Sequence, residues 1–448
     1  MEEEVHDPLP RRAHGGRDRI QDRRQEVRIA TYEPFAGRTL TLGVSSGVAC
    51  YKAVELLRDL RRAGARVRPV LTDAAAELVR PALFEALAEE PVGTGLWSAV
   101  PGGEEAGDYS RFPHLDFARG VDGVVVAPAT ANVLGKAAGG IGDDLLTTTL
   151  LAVDPREVPV LFVPSMNATM YAHPAVEENR ETLRRRGCHL VTPDEGPLAC
   201  GERGRGRWPG SDSVTMALDR LVNGTGRLDG RRVVVTAGPT EAEIDPVRVL
   251  TNRSSGRMGF AIARAAWREG AAVTLVHGPT ALEPPPYVET VAVRTTAEMG
   301  EAVRAALPDA EQLWMAAAPA DWTPEEAVGE KRKKAEWDGV LRLERTEDVL
   351  ARAAAEERAG TTLIGFAVEI EDVERRAAEK LESKGCHYLV VNDPTEEGAG
   401  FGHDTNRVFV LGPEGSRKEF PMMDKRALAH ELVAWVVERG AARAPAAR

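Results

Sequence analysis

The chain has 448 residues. This length is too great for one ordinary hydrophobic core and predicts two or three domains. Hydrophobic residues at 43% and charged residues at 28% are typical of a globular protein, and the net charge of -12 argues against a nucleic-acid partner. The four cysteines form no C-x-x-C pair and no apolar run is long enough to span a bilayer, so we expect a reduced, cytoplasmic protein without disulfide framework, zinc knuckle or membrane anchor.

Four segments divide the chain. Residues 1–37 mix Glu, Asp and Arg with almost no periodic apolar positions, which predicts a disordered arm. Strands alternate with helices over residues 38–223, and the glycine-rich residues 224–230 predict a short linker. The alternation resumes over residues 231–442. We therefore predict an α/β protein with two doubly wound domains.

The first domain opens with a strand, a small polar turn and an amphipathic helix. The apolar run Thr39–Val44 predicts the strand, and Ser45, Ser46 and Gly47 form the turn. Small hydroxyl residues at this turn suit a ligand phosphate near a helix N-terminus. The turn lacks the G-x-G-x-x-G pattern of dinucleotide sites, so alone it is weak evidence.

Two further strands of this domain are each followed by polar residues. The strand Gly123–Ala129 precedes Thr130, and the strand Val158–Ser165 precedes Asn167. The carboxyl ends of parallel strands line one crevice, so we expect these side chains to lie near each other. Asn167 is equally well explained as a helix cap.

His114 and Cys200 are possible reactive groups of the same crevice. His114 is either a solvated loop residue or a proton carrier, since histidine titrates near neutrality. Cys200 lies in the glycine-rich stretch 196–210, which predicts a mobile flap, with Arg203, Arg205 and Arg207 close in sequence. Nearby cations favour a reactive thiolate, whereas the alternative is an inert buried thiol.

The second domain begins with Val233–Thr236, a Gly-Pro turn, a long polar loop and a helix opened by Ser254-Ser255-Gly256. This helix start predicts an anion site, with an ordinary helix cap as the alternative. Further strands are predicted at Ala272–His277, Val288–Val293, Gln312–Ala317, Thr362–Val368, His387–Val391 and Arg407–Leu411.

The long polar loop 320–339 contains a basic run that includes Lys331, Lys333 and Lys334. Such a run is either a solvated surface or a site for a triphosphate, because lysine places a compact positive charge beside phosphoryl oxygens. Asp321, directly after an apolar strand, is either a turn residue or a magnesium ligand.

Eleven sequence motifs in order over about residues 38–440 identify a resemblance. They are GVSSGVACYK, FPHLDFARGVDGVVVAPATAN, GIGDDLLTTTLLA, PSMNATMY, LACGERGRGR, TAGPTEAEIDPVRVLTNRSSGRMGFAIA, AAAPADW, EKRKK, GFAVE, VNDP and GFGHDTNRV. The chain resembles the bifunctional phosphopantothenoylcysteine decarboxylase and phosphopantothenate-cysteine ligase family of coenzyme A synthesis. Each motif is modest, but their order across two domains is specific.

For the first domain, the resemblance implies a flavodoxin-like flavoprotein that uses FMN to convert phosphopantothenoylcysteine into 4'-phosphopantetheine. His114 matches the family's active-site histidine, Asn167 its substrate-carboxylate asparagine and Cys200 the cysteine that assists the final reduction. The residues implied at the FMN phosphate and ring are Ser45, Ser46, Gly47 and Thr130. Ser165 and Trp208 depart from the family pattern, which usually has Ala and often has Met there.

For the second domain, the resemblance implies a Rossmann-like nucleotide-binding ligase that activates 4'-phosphopantothenate with CTP and lets cysteine attack the acyl-cytidylate. Asn252 and Arg248 match residues beside that intermediate, Lys331 a lysine of the cysteine-dependent step and Asp321 a Mg²⁺ ligand. The residues implied around CTP are Phe366, Lys384, Asn392, Lys333 and Lys334.

The resemblance also implies small-molecule partners and a homo-oligomer, with trimeric decarboxylase contacts and dimeric ligase contacts that together build a dodecamer. Two other classes stay open. A flavin-binding regulatory protein is one, although His114, Asn167 and Cys200 are all present. A nicotinamide-dependent oxidoreductase is the other, and the missing G-x-G-x-x-G argues against it.

Overall fold

The computed structural model describes residues 29–97, 112–326, 329–331, 337, 339–356, 360–369, 372–393, 395–396, 398–400 and 402–443. Two separate sheets, each with helices on both faces, organise this part of the chain. The predicted α/β class is thereby confirmed. None of the helices within the described ranges combines the length and hydrophobicity needed to cross a bilayer.

The first sheet has five parallel strands in the order β2-β1-β3-β4-β5. Its strands, and those of a small hairpin beside it, are β1 Thr39–Val44, β2 Arg66–Leu71, β3 Gly123–Ala129, β4 Val160–Pro164, β5 His189–Leu190, β6 Asp194–Pro197 and β7 Arg203–Arg207. The helices are α1 Lys52–Arg62, α2 Asp73–Leu78, α3 Pro81–Ala88, α4 Pro113–Ala118, α5 Ala131–Gly139, α6 Leu145–Leu151, α7 Ala168–Tyr171, α8 Pro174–Arg185 and α9 Ser211–Asn223.

The second sheet has eight strands in the order β12-β11-β8-β13-β16-β17-β18-β19, of which the last two are antiparallel to their neighbours. The strands of this half are β8 Arg232–Ala237, β9 Glu241–Asp245, β10 Arg248–Thr251, β11 Ala272–His277, β12 Glu289–Ala292, β13 Gln312–Met315, β14 Trp322–Pro324, β15 Leu343–Arg345, β16 Thr362–Val368, β17 Tyr388–Asn392, β18 Thr405–Leu411 and β19 Arg417–Asp424. The helices are α10 Arg257–Arg268, α11 Thr296–Ala306, α12 Val349–Ala355, α13 Val373–Ser383 and α14 Lys425–Arg443.

Strand β3 shows why the first sheet is covered on both faces. All seven of its residues are buried, as expected for a central parallel strand. Successive side chains point to opposite faces. Val125 packs in one cluster with Leu56 of α1, whereas Val124 packs in the other with Phe117 of α4.

A glycine sets the distance between α10 and the second sheet. A Cβ atom on Gly259 would lie 2.5 Å from the Cβ of Ala237 and 2.6 Å from the carbonyl oxygen of Thr236. Any larger residue would push the helix away from β8. This close packing brings the N-terminus of α10 to the carboxyl edge of the sheet, where ligands bind in such folds.

Two stretches that we predicted as irregular form hairpins instead. The glycine-rich flap 196–210 contributes β7 and the end of β6, and the polar loop after β8 contains β9 and β10. The β6–β7 hairpin is largely solvent-exposed and the β9–β10 hairpin is mostly half-buried, so neither has the continuous apolar run that reveals a buried strand. Backbone pairing, which leaves little trace in composition, determines them.

Residues 29–37 are folded, whereas the predicted arm extended to residue 37. Phe35 is fully buried in the first domain, and the Tyr32 ring stacks on His430 of α14 with 4.2 Å between ring centroids. The Tyr32 hydroxyl donates to Asp219 of α9. Burial raises the pKa of the Asp219 carboxyl and lowers the pKa of the His430 imidazole. This segment therefore ties the two domains together.

The predicted linker is also packed rather than free. Leu228 is buried in the core of the second domain, and its backbone N–H donates to the carbonyl of Glu269 at 2.9 Å. Between the domains, Arg264 of α10 pairs with Asp212 of α9 at 2.6 Å. These contacts fix the orientation of α9 against α10.

Candidate active sites

A cavity of about 900 Å³ opens at the carboxyl edge of the first sheet. It lies where β1, β3 and β4 end, as parallel topology predicts. Five of the residues selected from the sequence line it, namely Ser46, Gly47, Thr130, Asn167 and Cys200. The structure therefore brings together side chains that are more than 150 positions apart in the chain.

Ser45 lies outside the lining of this cavity. Its hydroxyl is buried and donates to the carbonyl of Pro128 at 2.8 Å, while the backbone N–H of Thr130 donates to Ser45 Oγ at 3.0 Å. These bonds fasten the end of β1 to the end of β3. Ser45 thus holds the turn that presents Ser46 and Gly47.

Asn167 both caps a helix and lines the cavity, which are the two positions that the sequence left open. Its Oδ1 accepts from the backbone N–H of Thr169 at 2.8 Å, so it caps α7. Its Nδ2 lies 3.3 Å from Cys200 Sγ and donates to Glu202 Oε2 at 2.6 Å. The amide is therefore oriented by the cap and directed at the thiol.

Gly206 holds the β6–β7 hairpin against the end of the first sheet. The carbonyl of Gly206 accepts from the backbone N–H of Met166 at 3.0 Å, and a Cβ on Gly206 would lie 2.2 Å from Met166 O. Gly206 also has φ 148°, which disfavours other residues. Cys200 lies in the turn between β6 and β7, next to this anchored strand. Of Arg203, Arg205 and Arg207, only Arg207 lines the cavity.

His114 does not join Asn167 and Cys200 within one chain. It is the second residue of α4, and the nearby Phe117 packs on the sheet face opposite α1. The cavity, in contrast, extends along the N-terminal part of α1, where Lys52 and Glu55 line it. The sequence shows that His114 precedes β3, but it does not show on which face of the sheet α4 packs.

A second cavity, of about 810 Å³, lies at the carboxyl edge of the eight-stranded sheet. The residues that follow β13, the ends of β16 and β17, and the N-terminus of α10 enclose it. The residues predicted from the sequence that line it are Asn252, Ser254, Ser255, Gly256, Asp321, Phe366, Lys384 and Asn392.

Asn252 is fixed on one wall of this cavity. Its Nδ2 donates to the carbonyls of Ala318 and Pro319, at 3.2 and 2.9 Å. The side chain therefore links the loop before α10 to the turn after β13. That turn leads to Asp321, so Asn252 and Asp321 are positioned by one piece of backbone.

Arg248 and Lys331 do not line the cavity. Arg248 pairs with buried Asp245 at 2.5 Å and lies over the Trp337 ring, 4.7 Å from its centroid. Hydrogen bonds within the β9–β10 hairpin hold it there, which spacing in the sequence does not show. The predicted Lys333 and Lys334 lie outside the described residues.

Several cations of this cavity were missed in the sequence. Lys380 lies one helical turn before Lys384 on α13, a spacing that places both on one face. Lys380 pairs with Glu369 at 2.5 Å, and Lys384 pairs with Asp348. Lys425, at the start of α14, also lines the cavity.

Comparison with known proteins assigns both halves. Residues 29–223 match the Flavoprotein family model, and residues 228–439 match the model of the DNA/pantothenate metabolism flavoprotein C-terminal domain. The coenzyme A biosynthesis bifunctional protein CoaBC of Bacillus subtilis is 40% identical over 399 residues, covering 88% of this chain and 96% of the relative. The chain belongs to the CoaBC family.

Another CoaBC relative and two solved structures are also similar to this chain. The CoaBC protein of Mycobacterium tuberculosis is 39% identical over 415 residues, covering 89% of this chain and 96% of the relative. The crystal structure of a CoaBC C-terminal domain is 37% identical and covers 48% of this chain and 98% of its own, with a TM-score of 0.42. A PPC decarboxylase mutant complexed with pantothenoylaminoethenethiol is 29% identical over 40% of this chain and 97% of its own, with a TM-score of 0.35.

In this CoaBC family member, the Flavoprotein match contains the cavity with Cys200 and the second match contains the cavity with Asn252. Among the described residues, no group of three or more His, Cys, Asp or Glu side chains is arranged to hold a metal ion. Asp321 lines the second cavity together with Glu347 and Asp348. A Mg²⁺ ion there requires oxygen ligands from a bound phosphate, as is usual for this metal.

Proposed function

We propose that this chain makes 4'-phosphopantetheine in two steps, first joining cysteine to 4'-phosphopantothenate and then decarboxylating the phosphopantothenoylcysteine. The observation that supports this most is the pairing of two cavities with two family matches, one cavity at the carboxyl edge of each sheet. All four cysteines are free thiols, which agrees with a cytoplasmic enzyme.

The ligase step belongs to the second cavity. The carboxylate of 4'-phosphopantothenate attacks the α-phosphorus of CTP and pyrophosphate leaves. The amine of cysteine then attacks the acyl carbon, loses a proton and displaces CMP. Asp321 would hold Mg²⁺ together with the phosphates, and Lys384, Phe366 and Asn392 contact the nucleotide. Asn252, whose Nδ2 bonds to two carbonyls of the cavity wall, contacts the acyl-cytidylate.

Arg248 and Lys331 have proposed functions in the same reaction, although neither lines the cavity in one chain. Arg248 stabilises the acyl-cytidylate and Lys331, with Lys333 and Lys334, assists cysteine attack and nucleotide binding. We propose that a ligase domain of a second copy covers the exposed Val247 beside Arg248, as in the dimeric ligase contacts that the resemblance implies. Such a contact brings both cations nearer to a cavity.

The decarboxylase step belongs to the first cavity, whose size and small polar turn residues suit FMN. Ser46, Gly47 and Thr130 contact the FMN phosphate and ring, with Ser45 supporting the turn. The flavin, when bound, oxidises the substrate thiol and so allows the neighbouring carboxylate to leave as carbon dioxide. Asn167 binds that carboxylate. Cys200 Sγ supplies a proton to the decarboxylated intermediate, and the flavin reduced in the thiol oxidation would return the two electrons.

His114 completes this cavity from a neighbouring copy of the chain. His114 does not line the cavity of the chain to which it belongs. Exposed apolar side chains lie both at the mouth of the cavity and beside His114. Val48 and Tyr51 are 71% and 54% exposed at the cavity mouth, and Phe112 beside His114 is 58% exposed. A contact between copies, as in the predicted trimer, buries these residues and brings His114 to Asn167.

Mixing two inactive variants tests this shared site. We expect His114→Asn and Cys200→Ser proteins to lack product formation singly and to regain a measurable fraction of it when co-expressed, because some mixed sites contain both native residues. The matched control co-expresses Asn167→Ala with Cys200→Ser, two changes on one side of the site. Restored product formation in the control pair would contradict a site built from two copies. So would the lack of restored product formation in the first pair.

The overall proposal is tested by supplying the purified protein with 4'-phosphopantothenate, CTP, cysteine and Mg²⁺. We expect pyrophosphate and carbon dioxide to be released, with 4'-phosphopantetheine identified by mass spectrometry. Omission of CTP or replacement by ATP reports the nucleotide preference. Chelation of Mg²⁺ stops pyrophosphate release, and with it carbon dioxide release from these substrates, but leaves decarboxylation of supplied phosphopantothenoylcysteine intact. Pyrophosphate release without carbon dioxide identifies an inactive decarboxylase domain. If neither product appears, carbon dioxide release from supplied phosphopantothenoylcysteine identifies an inactive ligase domain, and its absence favours the flavin-binding regulatory alternative.

A further inference from the structure

Lys425 is a buried lysine with an unusual position at the edge of the ligase cavity. It begins α14, is 7% exposed and lines the cavity. Its Nζ donates to the carbonyl of Gly400 at 2.9 Å and to the carbonyl of His403 at 2.7 Å. The backbone N–H of Lys425 also donates to the carbonyl of Asp404 at 3.0 Å.

This position is costly for a positive charge. Burial lowers the pKa of the Lys425 ammonium, and the nearby Arg257 guanidinium lowers it further. The N-terminus of a helix carries a partial positive charge that disfavours a cation. None of the described carboxylates forms an ion pair with Nζ, since Asp404 pairs instead with Arg257 at 2.9 Å. Buried charges in proteins are normally paired.

A ligand can supply the missing negative charge. An ammonium has three N–H donors, and two of them are used by the carbonyls of Gly400 and His403. The same cavity wall includes Gly256 and Arg257 at the N-terminus of α10, where backbone N–H groups favour an anion. The buried ammonium, the guanidinium and the helix N-terminus therefore face one part of the cavity.

We propose that Lys425 binds a phosphate group of a ligase substrate with its third N–H, while the other two hold the backbone of Gly400 and His403 in place. This inference rests on the proposed ligase activity of the second cavity. The phosphate comes either from the nucleotide triphosphate or from the 4'-phosphate of phosphopantothenate. Both present the same chemistry to the ammonium, and separate kinetic measurements distinguish them.

The test compares Lys425→Met and Lys425→Arg in the full-length protein, with Lys418→Met as the matched control. Lys418 lies on β19, seven residues before Lys425. Its Nζ lies 4.6 Å from the centroid of the Phe420 ring, and the residue does not line the cavity. KM and kcat are measured separately for CTP and for 4'-phosphopantothenate. The thermal unfolding temperature reports whether the ligase domain is folded, and decarboxylation of supplied phosphopantothenoylcysteine reports whether the first domain is intact.

We expect Lys425→Met to raise KM for one of the two phosphate substrates about tenfold or more, because a charge-assisted hydrogen bond is lost. The substrate affected identifies the phosphate that is bound. Lys425→Arg restores part of the affinity because it keeps the charge, and both Lys425 variants decarboxylate at the normal rate. Lys418→Met leaves both KM values unchanged.

Unchanged KM values in Lys425→Met, with only a lower unfolding temperature, overturn the proposal and leave Lys425 a structural residue. A normal decarboxylase rate with a fall in ligase kcat alone also overturns phosphate binding by Lys425. Failure of the proposed function is recognised separately, because the unsubstituted protein then releases no pyrophosphate from CTP.

Discussion

Asn252→Ala is expected to reduce ligation of cysteine to 4'-phosphopantothenate about a hundredfold or more, as loss of a single well-placed donor does in other acyl transfers. The substitution removes the amide that links the loop before α10 to the carbonyls of Ala318 and Pro319. It also removes the proposed contact of this side chain with the acyl-cytidylate. Pyrophosphate release from CTP and formation of phosphopantothenoylcysteine are the quantities to measure.

Decarboxylation of supplied phosphopantothenoylcysteine should be unchanged in Asn252→Ala, because Cys200 and Asn167 lie on the other sheet. Arg253→Ala is the matched control, since Arg253 is the next residue, is exposed and does not line the cavity. Loss of both activities in Asn252→Ala would mean that the two cavities are not independent. A normal ligase rate would remove Asn252 from the mechanism.

Cys200→Ser is expected to allow carbon dioxide release while abolishing formation of 4'-phosphopantetheine. The carboxylate leaves from the oxidised substrate before Cys200 is needed, and a serine hydroxyl is a far weaker acid than a thiol. The product should therefore remain oxidised. Carbon dioxide evolution and the mass of the released product separate the two steps.

Cys188→Ser controls for the loss of any thiol. Cys188 lies between α8 and β5, is half-buried and packs beside the cluster that contains Phe162, away from the cavity. Burial raises the pKa of its thiol, so it is a poor proton donor as well as distant. Normal 4'-phosphopantetheine formation by Cys200→Ser would exclude Cys200 as the proton donor.

The sequence predicted the central strands to the residue in several cases. Thr39–Val44, Gly123–Ala129, Ala272–His277 and Thr362–Val368 have the same bounds in the structure. Each is rich in apolar and β-branched residues, because a parallel strand inside a sheet is largely buried on both faces. The polar residues Thr130 and Asn167 at strand ends were found for the same reason, since parallel strands end at one edge of the sheet.

Exposed elements and segments far apart in sequence were harder to predict. The hairpins β6–β7 and β9–β10 have few buried side chains, so periodicity did not reveal them. The docking of Tyr32 against His430 joins segments almost 400 residues apart, and neither segment alone indicates the contact. Composition is local information, whereas these contacts depend on the complete fold.

The sequence by itself determined the family, the two α/β halves and several of the polar residues that line the two cavities, because motifs and apolar runs are written in consecutive residues. Only the tertiary structure decided which face of the sheet His114 occupies, how Arg248 is paired and what surrounds Lys425. Helix packing and burial set these positions. A lysine at a helix start is unremarkable in sequence, and it becomes significant only when its ammonium is found buried beside a cavity without a carboxylate partner among the described residues.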